Sequence, residues 1–175
     1  EEKLAWATSI NSTFTVAIGL EAYDDEVLRF HVNKGFTTKS WDRAVANLEK
    51  FNLRIKTYLM FKPPFMNEAD ALDHCVKWIG AVAERSDEIS VNPMNIQRGT
   101  VIDRLHRHNE YRPPWLWSLV EMIRQAHPLI HPEGGVNGDP DQVSRLIVHP
   151  TAGGKIRGSH NLSLIHISEP TRRLV

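Results

Sequence analysis

The chain has 175 residues, with 41% hydrophobic and 24% charged residues, which fits one globular domain and excludes global disorder. Lysine plus arginine equals aspartate plus glutamate, 21 against 21, so a strongly basic nucleic-acid coat or an acidic tail is excluded and only a local patch remains open. The single cysteine, Cys75, rules out an internal disulfide framework and any multi-cysteine metal site built by this chain alone, and no apolar run reaches membrane-spanning length, so the expectation is a cytoplasmic chain without a membrane anchor.

Glu1–Ala7 reads as the back half of a helix without a start signal. Phe14–Leu20 is β-rich and almost wholly apolar, as expected of a strand covered on both faces. Asp24 and Asp25 offer cap oxygens for a short helix that runs to about Asn33 and ends at Gly35. Ser40 caps the next helix, in which Trp41, Ala44, Val45, Leu48 and Phe51 recur at three and four and form one apolar face. Leu53–Phe61 is a second strand, stopped by Pro63 and Pro64. Asn67 then caps a helix whose Leu72, Cys75, Val76, Ile79 and Val82 share a face. Glu88–Val91 is a short third strand. After Thr100 the pattern turns helical, over Val101–His108 and Trp115–Gln125, joined by Arg112-Pro113-Pro114. From Ala126 onward glycine and proline are frequent, and only Val143–Val148 looks strand-like. Leu162–Arg172 matches the translation of a transposon-type sequencing adapter, so 162–175 is expected not to be native sequence.

Strands alternating with helices long enough to cross back predict parallel, right-handed βαβ units. In such folds ligands gather beyond the carboxyl ends of the strands, where loops converge. Glu21 follows the first strand, Lys62 the second, and Asn92, Asn95, Gln97 and Arg98 the third. Strand ends also emerge into water, so one polar residue there means little; three strand ends together point to a site. Cys75 lies on an apolar helix face and reads as a buried structural thiol. The histidines show no H-E-x-x-H spacing, and His106 and His108 face different ways on a helix. Gln97–Arg112 carries four arginines with two histidines and a tyrosine, a composition suited to phosphate and unpaired bases, although spacing alone slightly favours a solvated helix face. Trp115 and Trp117 read as core anchors, with a substrate wall as the alternative.

Several phrases then resemble one family in order: VAIGLEAYDDEV with NKGF, YLMFKPPF, SVNPMNIQRGT, YRPPWLWSLVE and GGKIRGSHN. Over about residues 8 to 161 they are similar to the radical S-adenosylmethionine proteins of archaeosine biosynthesis, within the broader Elp3/MiaB-like radical group. The resemblance implies an α/β fold: the carboxyl-terminal half of a partial (β/α) radical barrel, about three parallel strands with their helices over 1–100, then a helical and irregular extension over 101–161. It implies S-adenosylmethionine and a [4Fe–4S] cluster in the parent protein, the cluster held by a C-x-x-x-C-x-x-C loop. This chain has no such loop, so it is expected to bind neither group fully and to be inactive alone. The implied substrate is a lysine-bearing deazaguanine base in tRNA, and the implied partner is a lysine-transferring, transglycosylase-like protein.

Carried over by position, the resemblance assigns cofactor contact to Glu21, Lys34, Tyr58 and Lys62. Asn92, Asn95, Gln97 and Arg98 would face the radical and the modified base, and Arg104, Arg112, Lys155 and Arg157 would meet tRNA phosphates. Two other readings stay open: a radical enzyme with a different substrate, and a cluster-free module that binds RNA or a protein partner.

Overall fold

The computed structural model describes residues 2–12, 14–131, 144–150 and 153–161. The segment 162–175, expected to be adapter-derived, lies outside the described residues. The elements follow the order α1 (Glu2–Ile10), β1 (Thr15–Glu21), a π-helical turn (Val27–Val32), α2 (Thr38–Glu49), β2 (Arg54–Phe61) and α3 (Glu68–Ala83). Then come β3 (Glu88–Pro93), α4 (Val101–Arg107), α5 (Leu116–Ile130) and β4 (Arg145–Val148). The strands form one parallel sheet in the order β1-β2-β3-β4. The sequence led to about three parallel strands, with Val143–Val148 as one further strand-like run. The fourth is four residues long, and its place beside β3 is fixed from afar: the buried Ser144 hydroxyl donates to the Ser86 carbonyl at 2.6 Å.

Local chemistry explains the elements. Asn67 caps α3 through its side chain, which accepts the Asp70 N–H at 2.9 Å, and Thr100 accepts the Asp103 N–H at the start of α4. Asp24 accepts the Glu26 and Val27 N–H groups at 2.9 and 3.1 Å, as expected of a cap, but the turn that follows is π-helical rather than α-helical. α5 runs five residues further than its sequence pattern suggested, carrying Pro128 in its last turns.

β2 alternates strictly, with Ile55, Thr57, Leu59 and Phe61 buried and Lys56, Tyr58 and Met60 half-buried. The buried side packs with Leu20, Ile89 and Val91 against Trp41, Val45 and Leu48 of α2, Ala71, Cys75 and Ile79 of α3, and Leu119 and Met122 of α5. The expectation that β1 is covered on both faces is corrected: Thr15 and Ala17 are exposed, because these helices pack on one side only. The other face carries Ala17, Gly19, Lys56, Tyr58, Met60, Glu88, Ser90 and Asn92, placed together by the register. It is polar, with a Lys56–Glu88 ion pair and the Lys56 ammonium 5.1 Å from the Tyr58 ring centre. Among the described residues no helix covers this face, and the side of a parallel sheet away from its helices is what lines the inside of a barrel.

Candidate functional site at the carboxyl ends of the strands

Backbone strain marks the location. Six described residues other than glycine have positive φ, and three of them are asparagines, which tolerate it. The other three are Glu21 (74°), Lys62 (58°) and Phe65 (64°), all at the carboxyl ends of β1 and β2. Strain of this kind collects where a surrounding structure holds side chains in a required direction.

At β1 the register shifts between Gly19 and Glu21, and this bulge folds the Glu21 carboxylate back over Gly19. A Cβ at Gly19 would lie 3.4 Å from Glu21 Oε1 and 3.6 Å from Lys34 Nζ. Glu21 and Lys34 themselves form an ion pair at 3.2 Å, partly open to solvent. The π-helical turn explains how Lys34 arrives there: Asn33 takes a left-handed conformation (φ 58°) and the Lys34 N–H returns to the Leu28 carbonyl at 2.8 Å. Gly19 pairs with Tyr58, and Asn92 lies two residues beyond Tyr58's partner Ser90, so the ion pair, Tyr58 and Asn92 share the helix-free face. The structure thus puts these four residues on one face, with Glu21 and Lys34 in direct contact.

Lys62 turns elsewhere. Its ammonium is buried and meets Glu68 Oε2 at 2.6 Å, while Glu68 Oε1 accepts the Trp115 N–H at 2.8 Å. The Tyr111 hydroxyl donates to the Lys62 carbonyl at 2.7 Å. Burial, with the Glu68 charge second, pushes the Tyr111 phenol far up, so it stays a donor. Lys62 and Glu68 therefore fasten Tyr111–Trp115 to the end of β2.

A second fastening lies at β3. Asp103 is buried and its carboxylate accepts from the Gly99 N–H (3.0 Å), Arg157 (2.8 Å) and Arg107 (2.8 Å). The Gly99 amide first, then Arg157, holds this carboxyl below the usual carboxylate range. Arg157 also bonds the Ile96 carbonyl (3.3 Å) and accepts the Ile96 N–H at its own carbonyl (2.8 Å). Arg112 stacks on Trp115, 3.2 Å from the ring centre, and donates to the Pro113 and His160 carbonyls. Both arginines have internal partners. Arg98, Arg104 and Lys155 stand exposed, as does Gln97, which donates to Asn95 at 2.7 Å.

Trp117, read as a core anchor, is instead 70% exposed, because it lies off the face of α5 that Leu119, Met122, Ala126 and Ile130 turn inward. The sequence reading missed Asp103, Glu68, Phe65 and Gly19. A capping Thr100 three residues before Asp103 was visible, but the partners that make these carboxylates fastenings, Arg157 for Asp103 and the Trp115 N–H for Glu68, lie 54 and 47 residues away. Cys75 is fully buried on the helix side of the sheet, and burial pushes its thiol well above the ordinary range. It does not fit a cluster ligand, and among the described residues no group of three or more His, Cys, Asp or Glu could hold a metal ion. No helix of the described residues is long and apolar enough to cross a membrane.

This architecture occurs in a known class. The chain matches an Elp3 of Methanocaldococcus infernus with a TM-score of 0.64 at 14% identity, over 91% of this chain and 35% of that one. By fold, it corresponds to about a third of that Elp3, a parallel α/β sheet with its helices. In sequence it is 37% identical over 166 residues to archaeosine synthase subunit beta of Methanosarcina acetivorans, covering 94% of this chain and 45% of that protein. It is 36% identical over 148 residues to the protein of the same name from Thermococcus kodakarensis, covering 85% and 42%. It is a homologue of these archaeosine-associated proteins and spans less than half their length. No protein-family model matches it.

Proposed function

We propose that this chain is the cofactor- and tRNA-facing part of a radical S-adenosylmethionine enzyme that converts a lysine-bearing deazaguanine base of tRNA to archaeosine. The observation that supports this reading most is the strained Glu21–Lys34 pair folded over Gly19 on the helix-free face, beside Tyr58 and Asn92. Residues 1–100 serve as the barrel part and 101–161 as an extension that shapes its rim.

When bound, S-adenosylmethionine supplies a 5′-deoxyadenosyl radical. The residues of this chain bind, orient and shield. Lys34 offers its ammonium to a carboxylate of the cofactor, and Glu21 holds Lys34 in place. Tyr58 presents a ring and hydroxyl toward the ribose side. Lys62 acts from behind, as a positioning residue that fastens the rim. Asn92, Asn95 and Gln97 face the base, and Arg98, exposed at the same strand end, meets the phosphate beside it. The residues present do not fit a [4Fe–4S] cluster, so no role in holding one is assigned to them. Activity belongs to the longer protein, in the cytoplasm, with a lysine-transferring, transglycosylase-like partner.

Arg98, Arg104 and Lys155 are the better phosphate contacts, since Arg112 and Arg157 are held internally. The test is tRNA affinity of the longer protein across a salt series. Arg98→Glu, Arg104→Glu and Lys155→Glu should each weaken binding and make the log–log salt slope shallower by about one or more. Unchanged affinity in all three would remove tRNA as the ligand of this rim and favour a different substrate.

A further inference from the structure

Phe65 is unexplained by packing or by backbone. It follows Pro64 in the turn after β2 with φ 64°, a conformation that glycine or asparagine adopts readily and a bulky side chain does not. Its ring is nevertheless 62% exposed. An apolar ring held outward at a strained position destabilises the fold locally and contributes little burial in return, which points to a role outside folding.

Its neighbours indicate that role. The His31 ring stands edge-on to Phe65 at 6.1 Å, and Phe30, the preceding residue, is also 62% exposed. Two cations lie over rings in this segment: Arg29 at 5.0 Å from the Phe30 centre and Lys34 at 5.5 Å from the Phe36 centre. Of the nearby acids, Asp24 accepts from the Glu26 and Val27 N–H groups, Asp25 accepts from the Thr38 N–H at 2.7 Å, Glu21 is paired with Lys34, and Glu26 stands exposed. All of this sits on the loops beyond the carboxyl ends of β1 and β2, the rim that holds Glu21 and Lys34. Exposed rings interleaved with cations bind unpaired nucleotides, because every base has a face to stack and each carries a phosphate.

We propose that Phe65, with His31 and Phe30, forms a stacking platform for an unpaired RNA base next to the one entering the site. This rests on the tRNA reading above. It assigns to the first two strand-end loops a contact with base faces, distinct from the phosphate contacts of Arg98, Arg104 and Lys155.

The test uses a labelled tRNA transcript and a fully paired RNA duplex as probes, with the longer protein carrying this chain. Phe65→Ala and Phe65→Leu should each weaken tRNA binding about five- to a hundredfold, without changing the salt slope and without weakening duplex binding. Phe65→Trp should keep tRNA affinity and show indole quenching on tRNA addition beyond that of the wild type. Phe65→Gly, which relieves the positive φ, should melt at or above the wild-type temperature and still lose tRNA affinity. Wild-type affinity in the Ala and Leu variants, or equal loss toward tRNA and duplex, overturns the platform while leaving the tRNA reading intact. Failure of the wild type to bind tRNA at all overturns both.

Discussion

Asp103 shows how much of the rim depends on one carboxylate. Two loops and α4 converge on it, and its proton affinity is lowered by the Gly99 amide and by Arg157. A carboxyl held lower in the folded chain than in the unfolded one contributes stability that is fully present above about pH 4 and is lost as pH falls through its folded value. Asp103→Asn should therefore be less stable than wild type at pH 7, with the gap closing below pH 4; urea midpoints at pH 7 and pH 3 check this. Cys75 gives a second residue-scale outcome. Buried and kept protonated, it should resist alkylation by iodoacetamide in the native chain and react once urea unfolds it. The burial of Cys75 was legible from its helical period. The role of Asp103 was not, because Arg157 is 54 residues away and a sequence window holds only local partners.

At the scale of elements, the strands and main helices were readable because their periods are clean and their ends carry proline or a capping side chain. Asn67 is the clearest case, its predicted cap matched by the bond to Asp70. β4 showed in the sequence as the strand-like run Val143–Val148, but its place in the sheet, fixed by Ser144, did not. Two other features escaped. The π-helical turn has the same composition as an α-helix. The bulge at Glu21 needs a positive φ that no side chain there advertises. The Lys62–Glu68–Trp115 fastening joins elements distant in sequence, and it should be energetically visible. Glu68→Ala removes the partner of a buried ammonium and of a backbone N–H, and should cost roughly 1.5–3 kcal/mol in urea unfolding. It should also speed proteolysis within 111–117, the segment it fastens; unchanged proteolysis would show that the extension is held by other contacts.

Among the described residues, the sheet has its helices on one side, a polar face on the other, and β1 bonded to β2 along one edge only. Such a surface is complete only when something closes it, so the isolated chain should self-associate or melt broadly. A monomer by sedimentation with one sharp melt would contradict that. The parallel sheet was readable from alternating strands and helices. The inward direction of Tyr58 and Asn92 depends on register, which the sequence alone leaves free. The central claim is that this face and its rim serve archaeosine formation. The most direct measurement is nucleoside mass spectrometry of tRNA bearing the lysine-modified deazaguanine, after incubation with the reconstituted longer protein and S-adenosylmethionine, in wild-type and Lys34→Ala forms. Archaeosine with the wild type and little or none with Lys34→Ala is the predicted result. An unchanged base with the wild type, while 5′-deoxyadenosine still accumulates, would contradict the substrate, and archaeosine at wild-type levels from Lys34→Ala would contradict the site.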